Sequence, residues 1–133
     1  TVIISDERIS SPILACFDTA IILNQQSLDK FEETVKPGGM LIYDPNGITR
    51  HPERKDINIY QIAATDKATE MGMARLFNMM VLGGFLKYKP IIQDEFMEKG
   101  LEESLPERHH HLIPDNLKAV KIGTEIIKPY HTL

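Results

Sequence analysis

Three polar side chains gather where an apolar run gives way to a helical pattern. Asn24, Gln25 and Ser27 follow Ala20-Ile21-Ile22-Leu23 and precede Leu28-Asp29-Lys30-Phe31. Open α/β sheets bind ligands at such junctions, in the crevice beyond the carboxyl ends of their strands. Amide side chains and the free N–H groups of a helix start can hold a carboxylate or phosphate there. Helix capping alone already accounts for Ser27. Thr65-Asp66 repeats the arrangement ahead of a second helical stretch, and Asn78 is an amide within an otherwise apolar one.

Other constellations carry less chemistry. His109-His110-His111 has the composition of a metal handle, but adjacent side chains rarely converge on one ion, and a solvated loop explains them as well. Met71, Met73, Met79 and Met80 lie among Leu76, Phe77, Val81, Leu82, Phe85 and Leu86. A stretch apolar on every side packs into a core or against a subunit. Gly83-Gly84 within it points to the close approach of another backbone or a ligand. The lone thiol, Cys16, can form neither an internal disulfide nor a cluster site. There is no GxxxxGKS, GxGxxG, GxSxG or HExxH pattern, and no acid pair at catalytic spacing. The residues by themselves show no catalytic engine and no metal site.

The elements that must position these groups follow from composition and periodicity. The chain has 133 residues, 42% of them hydrophobic and 26% charged, with 19 acids against 15 bases and a net charge of -4. These totals fit one globular domain, residues 1–133, and argue against disorder. The acidic balance gives no footprint for nucleic acid. No apolar run is long enough to span a bilayer, and no signal peptide is visible, so a soluble cytoplasmic protein is expected. The first residue is Thr1 in a strand-like run, which reads as the C-terminal portion of a longer chain.

Thr1–Ile4 and Ala20–Leu23 read as strands, the second covered on both faces. The sequence predicts a helix capped by Ser27, carrying Leu28, Phe31 and Val35 on one face and stopped by Lys36-Pro37-Gly38-Gly39. Met40–Tyr43 then forms a parallel strand ended by the turn Asp44-Pro45-Asn46-Gly47, and Ile57–Ile62 is a further strand whose alternation points to one face that is wetter or meets different neighbours. A long helix is expected from Ala64-Thr65-Asp66 to about Tyr88, with a break at Gly72. Asp94 should cap a helix bearing Met97, Leu101 and Leu105, and Asp115 a last one bearing Leu117, Val120 and Ile127. The class is α/β: a layered sheet with parallel βαβ units and helices on both faces.

Taken together, Asn24-Gln25-Gln26-Ser27-Leu28-Asp29-Lys30-Phe31 and Val35-Lys36-Pro37-Gly38-Gly39-Met40-Leu41-Ile42-Tyr43 resemble the gamma subunit of 2-oxoacid:ferredoxin oxidoreductases, the family of pyruvate, 2-oxoglutarate and 2-oxoisovalerate enzymes. The resemblance continues through Ala63-Ala64-Thr65-Asp66-Lys67-Ala68, Met71-Gly72 and Asn78-Met79-Met80-Val81-Leu82-Gly83-Gly84, and includes Thr1–Ile4 and Ser11-Pro12-Ile13. It covers essentially the whole chain. Ala63 stands where proline is usual and Gly84 where alanine is usual, and nothing ahead of Thr1 matches the family's glycine-rich opening turn.

The resemblance implies a subunit of an enzyme that oxidatively decarboxylates a 2-oxoacid with coenzyme A and passes electrons to ferredoxin. It implies alpha, beta and ferredoxin-like delta partners that carry thiamine diphosphate and the iron–sulfur clusters, with no cofactor bound by this chain alone. On that reading Asn24, Gln25 and Ser27 face an interface or the active-site mouth, with Thr65 and Asn78 nearby, as residues for substrate, coenzyme A or a neighbouring subunit. Arg50, Arg54 and Lys55, which could meet the distal carboxylate of 2-oxoglutarate, read more simply as solvated charge. Two alternatives stay open: an α/β binding or assembly module recruited through its Met-rich surface, and a nicotinamide-dependent oxidoreductase whose fingerprint lies upstream.

Overall fold

Apolar side chains alternate between two faces along the central strands, and each face collects its own helices. A computed structural model describes residues 1–11 and 13–133; Pro12, in the lead-in to the first strand, lies outside them. Among the described residues the sheet has four strands, β1 (Phe17–Ile22), β2 (Val35–Tyr43), β3 (Asn58–Gln61) and β4 (Lys128–His131), in the order β1-β2-β3-β4. The first three run parallel, and β4 returns antiparallel beside β3.

On one face Ala20, Ile22, Leu41, Tyr43 and Ile59 pack with Leu28 of α1 (Gln25–Phe31). On the other, Ile42, Tyr60 and Ile62 pack against α2 (Ala64–Glu70), α3 (Phe77–Tyr88) and α5 (Ile113–Ile126). Fully burying one such aliphatic side chain contributes about 2 kcal/mol. The expected α/β class, with helices on both faces, is therefore the architecture. No helix among the described residues is long and apolar enough to cross a membrane.

Several local expectations are corrected. Thr1–Ile4 forms no strand, and Val2 and Ile4 are 86% and 72% exposed. A β-branched run becomes a strand only when a neighbour completes its ladder. The first helix ends at Phe31, and a 3-10 turn, Glu32–Thr34, hands the chain to β2, so Val35 belongs to that strand. Lys36-Pro37-Gly38-Gly39 acts as an irregularity inside β2 instead of a helix stop. The register shifts there between Phe17 and Thr19, Gly38 takes φ +77°, and a Cβ on Gly39 would press against the Lys36 and Asp18 carbonyls at 2.7 and 2.9 Å. Bulges use glycine for these reasons.

The long helical stretch divides, as its glycine predicts, into α2 and α3 around Gly72 at φ +66°. Asp94 and Asp115 lie inside the first turns of α4 (Asp94–Ser104) and α5, where they complement the dipole, and neither makes a capping hydrogen bond. The buried side of α5 is Ile113, Asn116, Ala119, Ile122 and Gly123, while Leu117 and Val120 are only half-buried and Ile127 is buried just past the helix end. The helix is turned by its contact with α3. A Cβ on Gly83 would collide with the Val120 carbonyl, and one on Gly123 with the Met80 carbonyl. The close approach expected at Gly83-Gly84 is thus another backbone at Gly83 and the Ile62 and Ile127 side chains at Gly84. Met80 is buried, and Met71, Met73 and Met79 pack half-buried around it.

Candidate functional site

The carboxyl ends of β1, β2 and β3 open toward the starts of α1 and α2, the position where α/β sheets place ligands. A buried carboxylate organises this end. Asp44, 1% exposed, leaves β2 and accepts hydrogen bonds from the Thr65 N–H at 2.8 Å and the Thr65 hydroxyl at 2.7 Å. Its other oxygen accepts from the Asn46 N–H at 2.9 Å, and the Asn46 amide donates to Asp66 at 2.7 Å. Charge-assisted bonds of this kind fix the exit of β2 to the start of α2.

Beside it, Asn24 takes the extended conformation and accepts from the Ser27 N–H at 2.8 Å. The capping residue is therefore Asn24. Ser27, expected as the cap, lies instead inside the first turn and supplies the N–H that Asn24 accepts. Gln25 turns away from the opening. Its carbonyl oxygen accepts from the N–H groups of Thr49 and Arg50 at 2.8 and 2.9 Å and from the Thr49 hydroxyl at 3.2 Å, and its amide donates to Asp29 at 2.8 Å.

Those bonds fasten an unusual connection. Parallel strands are generally joined through a helix, yet residues 44–57 link β2 to β3 as an irregular strap. Buried Glu32 holds its middle. One carboxylate oxygen accepts from the N–H groups of Glu53 and Arg54 at 2.6 and 3.2 Å, and the other accepts from Arg50 at 2.9 Å. Arg54 donates to the Glu32 and Val35 carbonyls at 3.0 and 2.6 Å and pairs with Asp56. Arg50 and Arg54, expected as solvated charge, are thus committed within the fold. The Gln25 amide, then Arg50, holds Asp29 below the usual carboxylate range, and Arg54 does the same for Asp56.

Aromatic contacts close the strap against β4. The Tyr43 hydroxyl lies 3.1 Å from His51 Nδ1, and the Tyr130 ring meets Tyr43 edge-on at 5.6 Å. Burial, with Tyr130 nearby, pushes the Tyr43 phenol up to about 12.

The structure therefore places Asn24, Ser27 and Thr65 at the carboxyl end of the sheet, directs Gln25 to the strap, and leaves Asn78 exposed in the first turn of α3, outside this network among the described residues. Sequence reasoning missed Asp44, Asn46 and Glu32. For Asp44 a signal existed, a carboxylate directly after a fully apolar parallel strand. For Glu32 none did. The three histidines form the 3-10 turn Glu107–Leu112, where the His110 ring donates to the Leu105 carbonyl at 2.8 Å. No group of three His, Cys, Asp or Glu among the described residues is placed to hold a metal ion.

Residues 1–126 match the family described as "Pyruvate ferredoxin/flavodoxin oxidoreductase". The chain is 32% identical over 130 residues, 96% of its length and 67% of the relative's, to "2-oxoglutarate synthase subunit KorC" of Methanocaldococcus jannaschii. It is 28% identical over 132 residues, 95% of its length and 69% of the relative's, to the protein of the same name in Methanothermobacter marburgensis. Its fold is shared with the gamma subunit of a keto/oxoacid ferredoxin oxidoreductase from Geobacter sulfurreducens PCA, at TM-score 0.69 and 20% identity, covering 90% of this chain and 69% of that one. The 2-oxoglutarate:ferredoxin oxidoreductase of Magnetococcus marinus, solved with 2-oxoglutarate, coenzyme A and succinyl-CoA bound, shares it at TM-score 0.65 and 24% identity, over 88% of this chain and 21% of that one.

Proposed function

We propose a supporting role in 2-oxoacid oxidation for this chain, which belongs to the pyruvate ferredoxin/flavodoxin oxidoreductase family and is a gamma-type subunit of a multi-subunit 2-oxoacid:ferredoxin oxidoreductase. The observation that carries the reading is the family match across residues 1–126. In the assembled enzyme a 2-oxoacid of the 2-oxoglutarate or pyruvate class is oxidatively decarboxylated with coenzyme A, and ferredoxin accepts the electrons. The likeness to KorC favours 2-oxoglutarate.

Thiamine diphosphate and iron–sulfur clusters belong to the alpha, beta and ferredoxin-like delta partners on this reading. The donor set of this chain agrees, since its single thiol, exposed Cys16, cannot make the several thiolate bonds that a cluster needs. Those cofactors supply the bond-breaking and electron chemistry, and this chain supplies shape and closure. Asp44 holds Thr65, and the Asn24 cap holds the start of α1, so the residues at the mouth are set rigidly before any partner or ligand arrives. Coenzyme A finds hydrogen-bonding groups there in Asn24, Ser27 and Thr65, with Gln25 acting through the strap and Asn78 at a subunit contact. On this reading residues 1–133 form one domain of the subunit, in the cytoplasm.

Asn24→Ala and Asn78→Ala in the reassembled complex test the site. A raised coenzyme A KM for the first and weakened assembly for the second are expected. Unchanged turnover, KM and assembly for both would overturn the site assignment.

A further inference from the structure

Helix α4 is the element that the fold uses least. It buries no residue fully. Its inner stripe, Met97 and Leu101, is half-buried, and between α4 and α5 a groove runs with Met97, Leu117 and Val120 along it and Asp94, Glu98, Lys121 and Thr124 at its sides. Beside the groove Phe96 is 53% exposed, and Ile91 and Ile92, just ahead of the helix, are 48% and 38% exposed. The same helix carries five carboxylates, at residues 94, 95, 98, 102 and 103, against the single Lys99.

An aromatic side chain beside an apolar groove, edged by Asp94, Glu98 and Lys121 and flanked by the carboxylates of α4, matches the anatomy of a protein interface, with its apolar centre and polar rim. The surplus of negative charge selects the partner. A surface that brings lysine or arginine around an apolar tip gains from the rim, and an acidic one is repelled. We propose that the α4–α5 groove, with Phe96 at its side, is the seat for a basic, apolar-tipped segment of another subunit of the same oxidoreductase. This rests on the subunit reading given above.

The full-length protein, co-expressed with its neighbouring subunits and purified through a tag on a partner, provides the test. Phe96→Glu and Glu98→Lys each alter an exposed or rim position, so the fold survives; Glu33→Lys reverses a charge of equal size on the opposite face of the sheet. Binding of the chain to the remaining subunits is expected to weaken about tenfold or more for Phe96→Glu and Glu98→Lys, the loss that marks a residue central to an interface. Wild-type binding should weaken as salt rises, and Glu33→Lys should bind as wild type. Wild-type affinity in both α4 variants would overturn the surface while leaving the subunit reading intact. A wild-type chain that fails to bind the other subunits would overturn that reading and this surface with it.

Discussion

Against α3, helix α5 comes so near that glycine is required on both sides, at Gly83 and Gly123. Against α4 the same helix presents half-buried Leu117 and Val120 to an open groove. Polar groups follow the same division. At the mouth and along the strap, Asp44 and Glu32 are each answered by donors from other elements. On α4, among the described residues, Glu103 is the carboxylate that meets a lysine, and only at 4.0 Å. One part of the molecule is satisfied internally, and the other leaves apolar and acidic groups facing solvent. The difference separates what holds the subunit together from what is available to the assembly.

The contrast breaks first at the α3–α5 seam. Gly83→Val forces a side chain into the Val120 backbone, and overpacking of this kind should cost about 3 kcal/mol, read as a lowered midpoint in urea. Next comes the strap. Glu32→Ala removes the acceptor for two backbone N–H groups and Arg50 and should cost about 2 kcal/mol, with Glu32→Gln costing roughly half because one good acceptor survives. Proteolysis should then cut within residues 44–57 before anywhere else in the sheet layer.

The third effect is confined to alkaline pH. The Tyr43 phenol titrates in the folded chain at about 12, above its ordinary 10.0, because burial disfavours the phenolate. Its contribution is therefore fully present below pH 10 and is lost as pH rises through the folded value, where the unfolded chain has already released its proton. Tyr43→Phe should flatten the fall in stability between pH 10 and 12, and an unchanged alkaline limb would refute the assignment. The smallest effect sharpens the comparison from the other side. Phe96→Ala in the isolated chain should change stability by no more than about 0.5 kcal/mol, as an exposed position does. A larger loss would mean that α4 is held by this ring.

Most of the layer order was legible from apolar runs and punctuation. Met40–Tyr43 read as a covered parallel strand and Gly72 as the division between two helices; Ala20–Leu23 read as covered on both faces, but β1 lies at the sheet edge and leaves Ile21 and Leu23 exposed, because an apolar run does not reveal its place in the strand order. What misled were residues with two physical uses. Lys36-Pro37-Gly38-Gly39 has the composition of a helix stop and serves as a strand bulge, and Thr1–Ile4 has strand propensity without a partner. The junction at Asn24 and Thr65 was legible because the strand-to-helix change marks it. Glu32 was not, and the position of Asp44 after an apolar strand marked it without revealing its role, since their partners lie about twenty residues along the chain, at Glu53 and Thr65. Local patterns do not reveal a hydrogen bond of that span.

The most direct test of the subunit assignment is 2-oxoacid- and coenzyme A-dependent dye reduction by the co-expressed complex, with this chain present or omitted. Thiamine-dependent activity that co-purifies with the chain, and falls away without it, is the predicted result. Full turnover by the other subunits in its absence would contradict the assignment and leave a binding module in its place.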